Sequence, residues 1–519
     1  MKNVYLFSFL LLIITFSCIK PPEKIFINQD GYNNLIPKPV EVIQSNDKFT
    51  FHKRSRIYIE PEEPELKKIA NYLAELLQTS TGYEFQTKKT SFFKKKCSIY
   101  LFIDNTDTIL GKEEYVLNIT EKRIQISASE YEGLFRGVQT LWQLIPNETE
   151  IDTIQNANWQ IPAGYIKDFP RYEWRGAMLD VARHFFSIDD VKRYIDLLSR
   201  FKINRFHMHL SDDQGWRIEI KSWPKLTEIG SKSAVGGDPG GYYTQEQFKE
   251  IIEYAASRYI TVIPEIDMPG HTNAALASYA ELNCNDISRK PYTGMRVGFS
   301  SLCVDKEITY QFIDSVIREI SAISPGKYIH IGGDEAHKTS KQDYEVFIEK
   351  VRDILLKYNK IMVGWEEISQ AEIDTLSLAQ HWHSDYAKHA AKKGIKIIMS
   401  PAEKAYLDMK YDSATSLGLD WAGTTTVKEA YQWNPAERLE GVTDDDIIGV
   451  EGPLWSETIR NIDELEYLAF PRIIGIAEIG WTNQDNRDWD EYKYRLMNQL
   501  ERIQSLDVNH YEFSLPEDD

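Results

Sequence analysis

Residues 328–335 are Tyr-Ile-His-Ile-Gly-Gly-Asp-Glu, and this stretch decides the fold that the sequence predicts. The apolar run 328–331 has the length of a buried strand, and the two glycines after it allow a sharp turn. Two adjacent carboxylates, Asp334 and Glu335, then follow the strand directly. The same order, a short apolar segment followed by polar or aromatic side chains, recurs from Arg171 onward.

Short apolar segments alternate with helical periodicity in this part of the chain, as in parallel sheets with crossover helices. The strand candidates are Ala177–Val181, Arg205–His209, Thr261–Ile266, Tyr328–Ile331, Ile361–Gly364, Ser377–His381, Ile395–Met399 and Ile447–Pro453. Most are separated by helical stretches, namely Ile188–Phe201, Gln245–Arg258, Ile308–Ile320, Tyr344–Tyr358 and Tyr386–Lys393. Eight such units predict an α/β fold, a (β/α)8 TIM barrel, over residues 166–510.

Polar and aromatic side chains cluster just after the candidate strands. They are Arg183-His184, Asp212-Asp213, Asp267, His271, Asp334-Glu335, Trp365, Trp382, Tyr406, Asp408, Trp455 and Glu457. Any one of them has a structural explanation, because Asp-Asp is common in turns and Trp in cores. No such explanation covers their common position just after the strands. The active sites of barrels lie at the carboxyl ends of the strands, which is this position. The pattern therefore predicts an active site there.

The adjacent pair Asp334-Glu335 suggests acid–base chemistry. Two carboxylates so close raise one pKa, which helps keep one group protonated as a general acid. A helix N-cap is the alternative reading of the same pair. Neighbours in one segment are poorly placed to face each other across a sugar, as the usual two-carboxylate glycosidases require. Trp365, Trp382 and Trp455 are either flat walls for a sugar or barrel core.

Metal and nucleotide cofactors are not predicted. His207 and His209 form an H-x-H pair, but alternate residues of a strand share one face, which in a barrel is the packed interior. The sequence lacks HExxH and CxxC spacing as well as G-x-G-x-x-G and Walker loops. The charge of 60 basic against 79 acidic residues, a net −19, argues against a nucleic-acid partner.

The chain begins like an export signal. Lys2 precedes a mostly apolar run, 4–16, that is too short to span a bilayer. Cys18 and the polar residues after it resemble a bacterial lipoprotein signal, in which Cys18 is lipidated and becomes the mature N-terminus; a simple cleaved signal is the alternative. We therefore expect a signal at 1–18 and an exported protein, either anchored to a membrane through Cys18 or free in the periplasm or outside the cell.

Residues 19–33 are expected to be a linker, and residues 34–165 to form a small α+β domain. The predicted strands there are Arg56–Ile59, Cys97–Ile103, Tyr115–Ile119 and Arg123–Ala128, and the predicted helices are Leu66–Leu77 and Tyr131–Leu144. In the barrel, Cys284 and Cys303 lie in one long loop, and export permits a disulfide between them, with two free thiols as the alternative.

The sequence resembles the family 20 glycoside hydrolases, the β-N-acetylhexosaminidases, from about Ile36 to Trp481. The resemblance rests on motifs in order: Arg175-Gly176 with Leu179-Asp180 and Arg183-His184-Phe185; His207 to Trp216; Pro264 to His271; His330 to Glu335; Gly364-Trp365; Tyr406-Leu407-Asp408; and Trp455-Ser456-Glu457.

The resemblance implies a role for each matching residue. Glu335 is the expected general acid and base, Asp334 orients the substrate's 2-acetamido group, and Asp212 with His271 forms a relay to Glu335. The remaining expected contacts are Trp365, Trp382 and Trp455 boxing the acetamide, Tyr406 donating to it, and Arg175, Asp408 and Glu457 holding sugar hydroxyls.

The implied function is an exo-acting hydrolase that removes terminal β-linked GlcNAc or GalNAc from oligosaccharides or glycoconjugates with retention, by substrate-assisted catalysis. A conventional double-displacement glycosidase and a glycan-binding protein with a degenerate barrel are the alternatives. The chain departs from the family pattern at Met208, where Trp is expected, at His381 and His383 around Trp382, and in Ser231–Gly240, which lacks an aromatic–Arg pair.

Overall fold

The computed structural model describes residues 24–90, 95–104 and 111–514. The predicted export signal, with Cys18, lies outside these residues. Within the described ranges, we find no helix that combines the length and the apolar character needed to cross a bilayer.

The larger part of the chain is a closed barrel of parallel strands. Its strands are β9 (Trp174–Asp180), β10 (Arg205–His209), β11 (Thr261–Glu265), β12 (Tyr328–His330), β13 (Ile361–Trp365), β14 (Leu378–His381), β15 (Lys396–Met399) and β16 (Ile447–Leu454). Each pairs with the next, and β16 closes on β9, with Gly449 opposite Trp174. The predicted barrel is therefore confirmed.

Helices surround the barrel and connect its strands. They are α3 (Ile188–Arg200), α4 (Lys225–Glu228), α5 (Gln245–Ala256), α6 (Asn273–Ser278), α7 (Glu307–Ile323), α8 (Lys341–Lys357), α9 (Tyr386–Lys392), α10 (Ala402–Ala405), α11 (Val427–Tyr431), α12 (Ile462–Ala469), α13 (Arg472–Trp481) and α14 (Trp489–Gln504). Local signals start several of them. Before α3, the Ser187 hydroxyl accepts from the Asp190 N–H and the Asp190 carboxylate accepts from the Ser187 N–H.

Successive side chains of a barrel strand point to opposite faces, one toward the layer between strands and helices and the other into the barrel. In β10, Phe206 and Met208 pack in the apolar layer between strands and helices, whereas His207 and His209 point the other way, into the barrel. The departure at Met208 therefore alters the strand–helix layer rather than the face that carries the site.

The N-terminal domain has one mixed sheet and two long helices. Its strands are β1 (Lys24–Ile27), β2 (Glu41–Thr50), β3 (Ile57–Glu60), β4 (Thr87–Lys89), β5 (Ser98–Ile103), β6 (Tyr115–Thr120), β7 (Arg123–Ala128) and β8 (Ala157–Asp168), and its helices are α1 (Pro64–Thr81) and α2 (Tyr131–Leu144). The sheet order is β1-β8-β6-β7-β5-β3-β4, with β2 also on β8. The α+β expectation is confirmed.

The prediction of a plain linker at 19–33 is wrong for part of that range. Residues of β1 pair in parallel with β8, so Lys24 lies opposite Ala157. Sequence reasoning missed β2 because most of its side chains are exposed and carry no apolar alternation. It missed β8 although its burial alternates, since Pro162 inside it usually argues against a strand.

The N-terminal domain packs against the amino-terminal end of the barrel. The Asp168 carboxylate at the end of β8 accepts from Lys202 Nζ at 2.8 Å and from Trp481 Nε1 at 2.9 Å. All three side chains are buried. The carboxyl ends of the strands lie at the opposite end of the barrel, where the predicted site residues follow them.

The loop between α6 and α7 is cross-linked. Cys284 and Cys303 form a disulfide, with Cα atoms 4.9 Å apart. The predicted disulfide is therefore confirmed, and the alternative of two free thiols is wrong.

Candidate active site

The carboxyl ends of the barrel strands carry almost every residue that the sequence predicts for the site. Asp212 follows β10, His271 follows β11, Asp334 and Glu335 follow β12, Trp365 ends β13, Trp382 follows β14, Tyr406 and Asp408 follow β15, and Trp455 and Glu457 follow β16. Arg175 is the exception.

His271 lies between three carboxylates. Its Nδ1 is 3.2 Å from Asp212 Oδ1, and its Nε2 is 3.2 Å from Glu335 Oε2 and 3.5 Å from Asp334 Oδ2. The expected Asp212–His271–Glu335 contact is thus present in the structure. Because one imidazole edge faces both Asp334 and Glu335, a single proton can be shared among these groups.

The two adjacent carboxylates have opposite pKa shifts. Burial, and then the nearby charge of Glu335, raise the pKa of Asp334 to about 6 against the attraction of His271. Burial also acts to raise the pKa of Glu335, but its hydrogen bond to His271 and the positive charge there outweigh it, so the pKa is lowered. Without substrate, Asp334 therefore holds a proton more firmly than Glu335 does.

Two of these residues have a strained backbone. His271 has φ 52° and Glu335 has φ 45°, in the left-handed region that residues other than Gly seldom adopt. Such conformations cost about 1–3 kcal/mol each and persist where the surroundings impose them. The strain falls on the two residues that form the contact.

Asp212 is held from several sides. Its Oδ2 lies 2.7 Å from Arg183 Nη2 and 3.0 Å from His209 Nε2, and its Oδ1 faces His271. Burial acts to raise the pKa of Asp212, but the charges of Arg183 and His271 keep it well below its ordinary value. Asp212 is consequently a fixed negative charge behind His271.

Aromatic rings form one wall of the site. The rings of Trp365 and Trp455 are 5.7 Å apart and that of Tyr406 lies 6.5 and 6.2 Å from them. Trp382 packs against the same small cluster, which is separate from the main barrel core. An exposed ring that the sequence reading missed, Trp421, meets the rings of Trp382 and Tyr406 edge-on at 6.0 Å each. The exposure of Trp421 favours the wall over the core alternative for the outer rings, whereas Trp365 is almost fully buried within the same cluster.

Several buried carboxylate oxygens in the site have no hydrogen-bond partner among the described residues. They are Asp334 Oδ1, both side-chain oxygens of Asp408, and Glu457 Oε2. Burial raises the pKa of both Asp408 and Glu457. Buried acceptors without donors are costly, so this end of the barrel is suited to a ligand rich in O–H and N–H groups.

The prediction for Arg175 is wrong. Arg175 is the second residue of β9, so it lies at the amino-terminal end of the barrel, away from the site. Its Nη1 donates to Tyr172 O at 2.8 Å, its Nε donates to Lys202 O at 2.9 Å, and its Nη2 pairs with Glu113 of the N-terminal domain. It holds the two domains together.

The arginine that reaches the site is Arg183. It follows β9 at the carboxyl end, contacts Asp212 and Asp180, and its guanidinium lies 4.8 Å from the Trp455 ring. The signal was in the sequence, because Arg183 comes just after a candidate strand and Arg175 comes before it.

Carboxylates behind the site were given no role by the sequence, although Asp267 was among the polar residues predicted after the strands. Glu265 and Glu451 point into the barrel and accept from His207. Asp267 Oδ1 accepts from the Gly333 N–H at 3.2 Å, which holds the turn before Asp334. Glu367 accepts from Trp382 Nε1 at 3.2 Å and thereby orients that ring. Position after a strand was the only available signal for Asp267 and Glu367.

The histidines around Trp382 have structural partners. Glu366 accepts from His381 Nδ1 at 3.0 Å and from the His383 N–H at 3.0 Å. The exposed His383 ring stacks on Trp382 with centroids 3.6 Å apart. His383 therefore supports the outer face of the ring that borders the site.

Some residues could supply metal ligands. Candidate atoms of His207, Glu265 and His330, for example, lie within 4.8 Å of one another. Glu265 already accepts from His207, however, and His207 faces a second carboxylate on its other nitrogen. We assign no metal to these groups, and the expectation that none takes part stays a prediction.

Comparison with known families identifies the fold and the enzyme class. The model of the glycosyl hydrolase family 20 catalytic domain matches residues 172–484, and the model of domain 2 of that family matches residues 32–169. The chain belongs to glycoside hydrolase family 20. The predicted enzyme class is thereby confirmed, and the two family 20 domains correspond to the barrel and the α+β domain.

Family 20 proteins with solved structures match nearly the whole chain. The β-N-acetylhexosaminidase from Streptomyces coelicolor A3(2) has a TM-score of 0.90 and 44% identity over 94% of this chain and 99% of its own. A mutant Streptomyces plicatus β-hexosaminidase, in complex with product GlcNAc, has a TM-score of 0.89 and 46% identity over 93% and 97%. A curated relative, the β-N-acetylhexosaminidase of Cellulomonas fimi, is 38% identical over 89% of this chain and 92% of its own.

Proposed function

We propose that this protein is an exo-acting β-N-acetylhexosaminidase that removes terminal β-linked GlcNAc or GalNAc with retention of configuration. The observation that carries the proposal is Asp334, whose buried Oδ1 has no partner among the described residues and whose neighbour Glu335 shares His271 with it. The names of the family 20 relatives, which are β-N-acetylhexosaminidases, support it.

The aromatic wall and Asp334 fit an acetamido group. The methyl and the flat amide pack among Trp365, Trp382 and Trp455, while Asp334 accepts from the amide N–H. Tyr406 donates to the amide carbonyl oxygen. In this position the carbonyl oxygen, rather than an enzyme carboxylate, is the nucleophile.

The reaction then proceeds in two steps. An amide N–H that donates to Asp334 favours the ionised form of Asp334, so the proton that Asp334, His271 and Glu335 share is left to Glu335. The carbonyl oxygen forms a bond to C1 as the glycosidic C1–O bond breaks, and Glu335 transfers this proton to the leaving oxygen. Water next attacks C1, Glu335 takes one of its protons, and the ring bond from the acetamide oxygen breaks. Both steps invert C1, so the product keeps the β configuration.

The remaining polar groups fit the sugar hydroxyls. Asp408 and Glu457 offer the unpartnered acceptors, and Arg183, whose charge acts on Glu457, adds a fixed fork of donors. Each sugar hydroxyl that donates to a buried carboxylate supplies a hydrogen bond that the free site lacks. This accounts for specificity toward a pyranose in a site that would otherwise carry buried acceptors without donors.

A panel of aryl β-glycosides with and without the 2-acetamido group tests the function. We expect turnover of the acetamido sugars and inhibition by a thiazoline analogue of the bicyclic intermediate. Cleavage of aryl β-glucosides without thiazoline inhibition would instead indicate a conventional double-displacement enzyme. Binding without turnover of any member would indicate a glycan-binding protein.

A Glu335→Gln variant tests the acid. Gln cannot supply the proton, so we expect turnover of a poor leaving group, such as a natural disaccharide, to fall by about 10²–10⁴. An aryl leaving group that needs no proton should lose much less. Near wild-type rates on both substrates would contradict the role of Glu335.

We also propose that residues 1–18 direct export and that Cys18 carries a lipid anchor. The support is the sequence alone: a short apolar run and a polar tether flank this cysteine. In a bacterial host that is fed a fatty-acid analogue, we expect label on the wild type and none on Cys18→Ser. An unlabelled wild type whose mature N-terminus is not Cys18 would support the simple cleaved signal.

A further inference from the structure

An uninterrupted series of carboxylates and imidazoles crosses the barrel interior. We call it the core chain, defined as Glu451, His207, Glu265, His209, Asp212, His271 and Glu335. Its successive oxygen–nitrogen distances are 2.8 Å (Glu451–His207), 2.9 Å (His207–Glu265), 2.6 Å (Glu265–His209), 3.0 Å (His209–Asp212), 3.2 Å (Asp212–His271) and 3.2 Å (His271–Glu335). The residues come from four strands of the barrel or the loops after them.

Every histidine of the core chain has a carboxylate on both ring nitrogens. An imidazole between two ionised carboxylates donates from both nitrogens, which requires the charged form. His207 and His209 hydrogen-bond on both sides, whereas His271 hydrogen-bonds to Asp212 and its Nε2 lies at ion-pair distance from Glu335 and Asp334. Burial acts against that charge, but the flanking carboxylates outweigh it. They raise the pKa of His207 to about 9 and those of His209 and His271 well above the ordinary value. The core chain therefore alternates in charge.

Other charged groups also face these histidines. Asp180 and Arg183 lie near His209, with Arg183 Nη1 3.4 Å from His209 Nε2, and a carboxylate oxygen of Asp267 lies within 4.8 Å of a His209 ring nitrogen. The His330 ring is 4.4 Å from the His207 ring. Around His271 are Asp334 and Asp213, beyond the core-chain carboxylates.

Asp212 joins the deep part of the core chain to the active site. Its Oδ2 faces His209 and its Oδ1 faces His271, so any charge change at His209 reaches His271 through one carboxylate. His207, His209 and Glu265 are fully or almost fully buried and lie within strands, whereas the carboxylates of the proposed sugar site lie in loops after the strands. Their part in catalysis, if the proposed function holds, is to position charge.

We propose that His209 and His207, anchored by Glu265 and Glu451, are positioning residues that set the pH range over which His271 and Glu335 hold their proton. This proposal rests on the hydrolase function proposed above. The relay that controls the acid thus extends from Glu335 through the barrel to Glu451, well past Asp212.

The test compares the pH profiles of kcat/KM of two variants, one that removes a positive charge from the core chain and one that removes a negative charge. His209→Gln removes a positive charge from between Glu265 and Asp212, so His271 and Glu335 hold their proton to higher pH. A unit charge at roughly 7 Å, at an effective dielectric constant of about 20, predicts an alkaline limb shifted upward by about one pH unit or more. Glu265→Gln removes a negative charge and should shift the limb downward.

A leaving-group series gives a second readout. A more firmly held proton makes a weaker acid, so His209→Gln should slow disaccharides more than activated aryl substrates. A purely structural defect would slow both equally and leave the alkaline limb in place, and that outcome would overturn the proposal. If His209→Gln does not fold, His207→Gln receives the same test, with a smaller upward shift expected.

Lys202→Gln is the matched control. Lys202 is equally buried and ion-paired, with Asp168, but at the domain interface. It should lower thermal stability without moving the alkaline limb, and a similar shift in this variant would also overturn the proposal. Failure of the proposed function is distinguishable, because the wild type would then not hydrolyse acetamido substrates at all.

Discussion

His271 Nε2 lies 3.2 Å from Glu335 Oε2, and both residues have a positive φ. The same nitrogen is 3.5 Å from Asp334, so one imidazole edge connects the two carboxylates that the sequence places side by side. The backbone is strained at both His271 and Glu335, the two residues of this contact. Experiments should therefore measure which of the two carboxyl groups, Asp334 or Glu335, holds the proton at a given pH.

The acid side of the pH profile should report Asp334. Its pKa is raised to about 6, and only the ionised form accepts strongly from an amide N–H. The protonated form therefore persists to higher pH than in an ordinary Asp, and kcat/KM should fall as the pH drops through about 6. The profile of the wild type on an aryl β-N-acetylglucosaminide measures this. An acid limb near pH 4 would contradict it.

Removing the unpartnered acceptors should weaken substrate binding. Asp408→Asn replaces a buried acceptor of sugar hydroxyls, and each lost charged hydrogen bond costs about 1.5–3 kcal/mol. We therefore expect kcat/KM to fall by about 10- to 100-fold, with the same direction for Glu457→Gln. Asp445→Asn, at an exposed position, is the control and should match the wild type. Unchanged kinetics in Asp408→Asn would show that this carboxylate does not meet the sugar.

Arg183 and Arg175 should separate into kinetic and structural roles. Arg183→Lys loses the fork that pairs with Asp212 and Asp180, so kcat/KM should fall at least about tenfold. Arg175→Lys weakens the contact with Glu113, so it should lower the melting temperature and leave kcat/KM of the folded enzyme within about twofold. Steady-state kinetics and thermal unfolding of both variants decide, and the reverse pattern would restore the sequence-based assignment of Arg175.

Glu113 should stabilise the domain interface in a pH-dependent way. Burial opposes its charge, but Arg175 and Arg136 lower its pKa to about 2 from 4.5. The stabilisation, on the order of 3 kcal/mol, is present above pH 4.5 and is lost as the pH falls toward 2. Denaturant unfolding of Glu113→Gln should show this loss at pH 7.

The same comparison at acid pH provides the control. The difference between the wild type and Glu113→Gln should shrink between pH 4.5 and 2, because Glu113 of the unfolded chain is protonated in this range and folding must then release that proton. A difference that stays constant with pH would mean that packing, not charge, accounts for the effect.

Most of the architecture was readable from local pattern. The limits of β10 and of α2 agree with their predictions, because apolar periodicity and local turn signals define such elements. The strands β1 and β2 were not readable. One is a short edge strand and the other is largely exposed, so both depend on pairing with β8, which is distant in sequence.

The sequence by itself determined the fold class, the family and the positions of the site residues that follow strands, because the direction of a parallel strand dictates which end its next residue occupies. Only the tertiary structure decided which charges meet. Arg175 lies at the domain interface, and Arg183 lies at the site. Glu265 and Glu451 joined His207 and His209 in the core chain. Such contacts join residues up to 244 positions apart, so no local spacing encodes them.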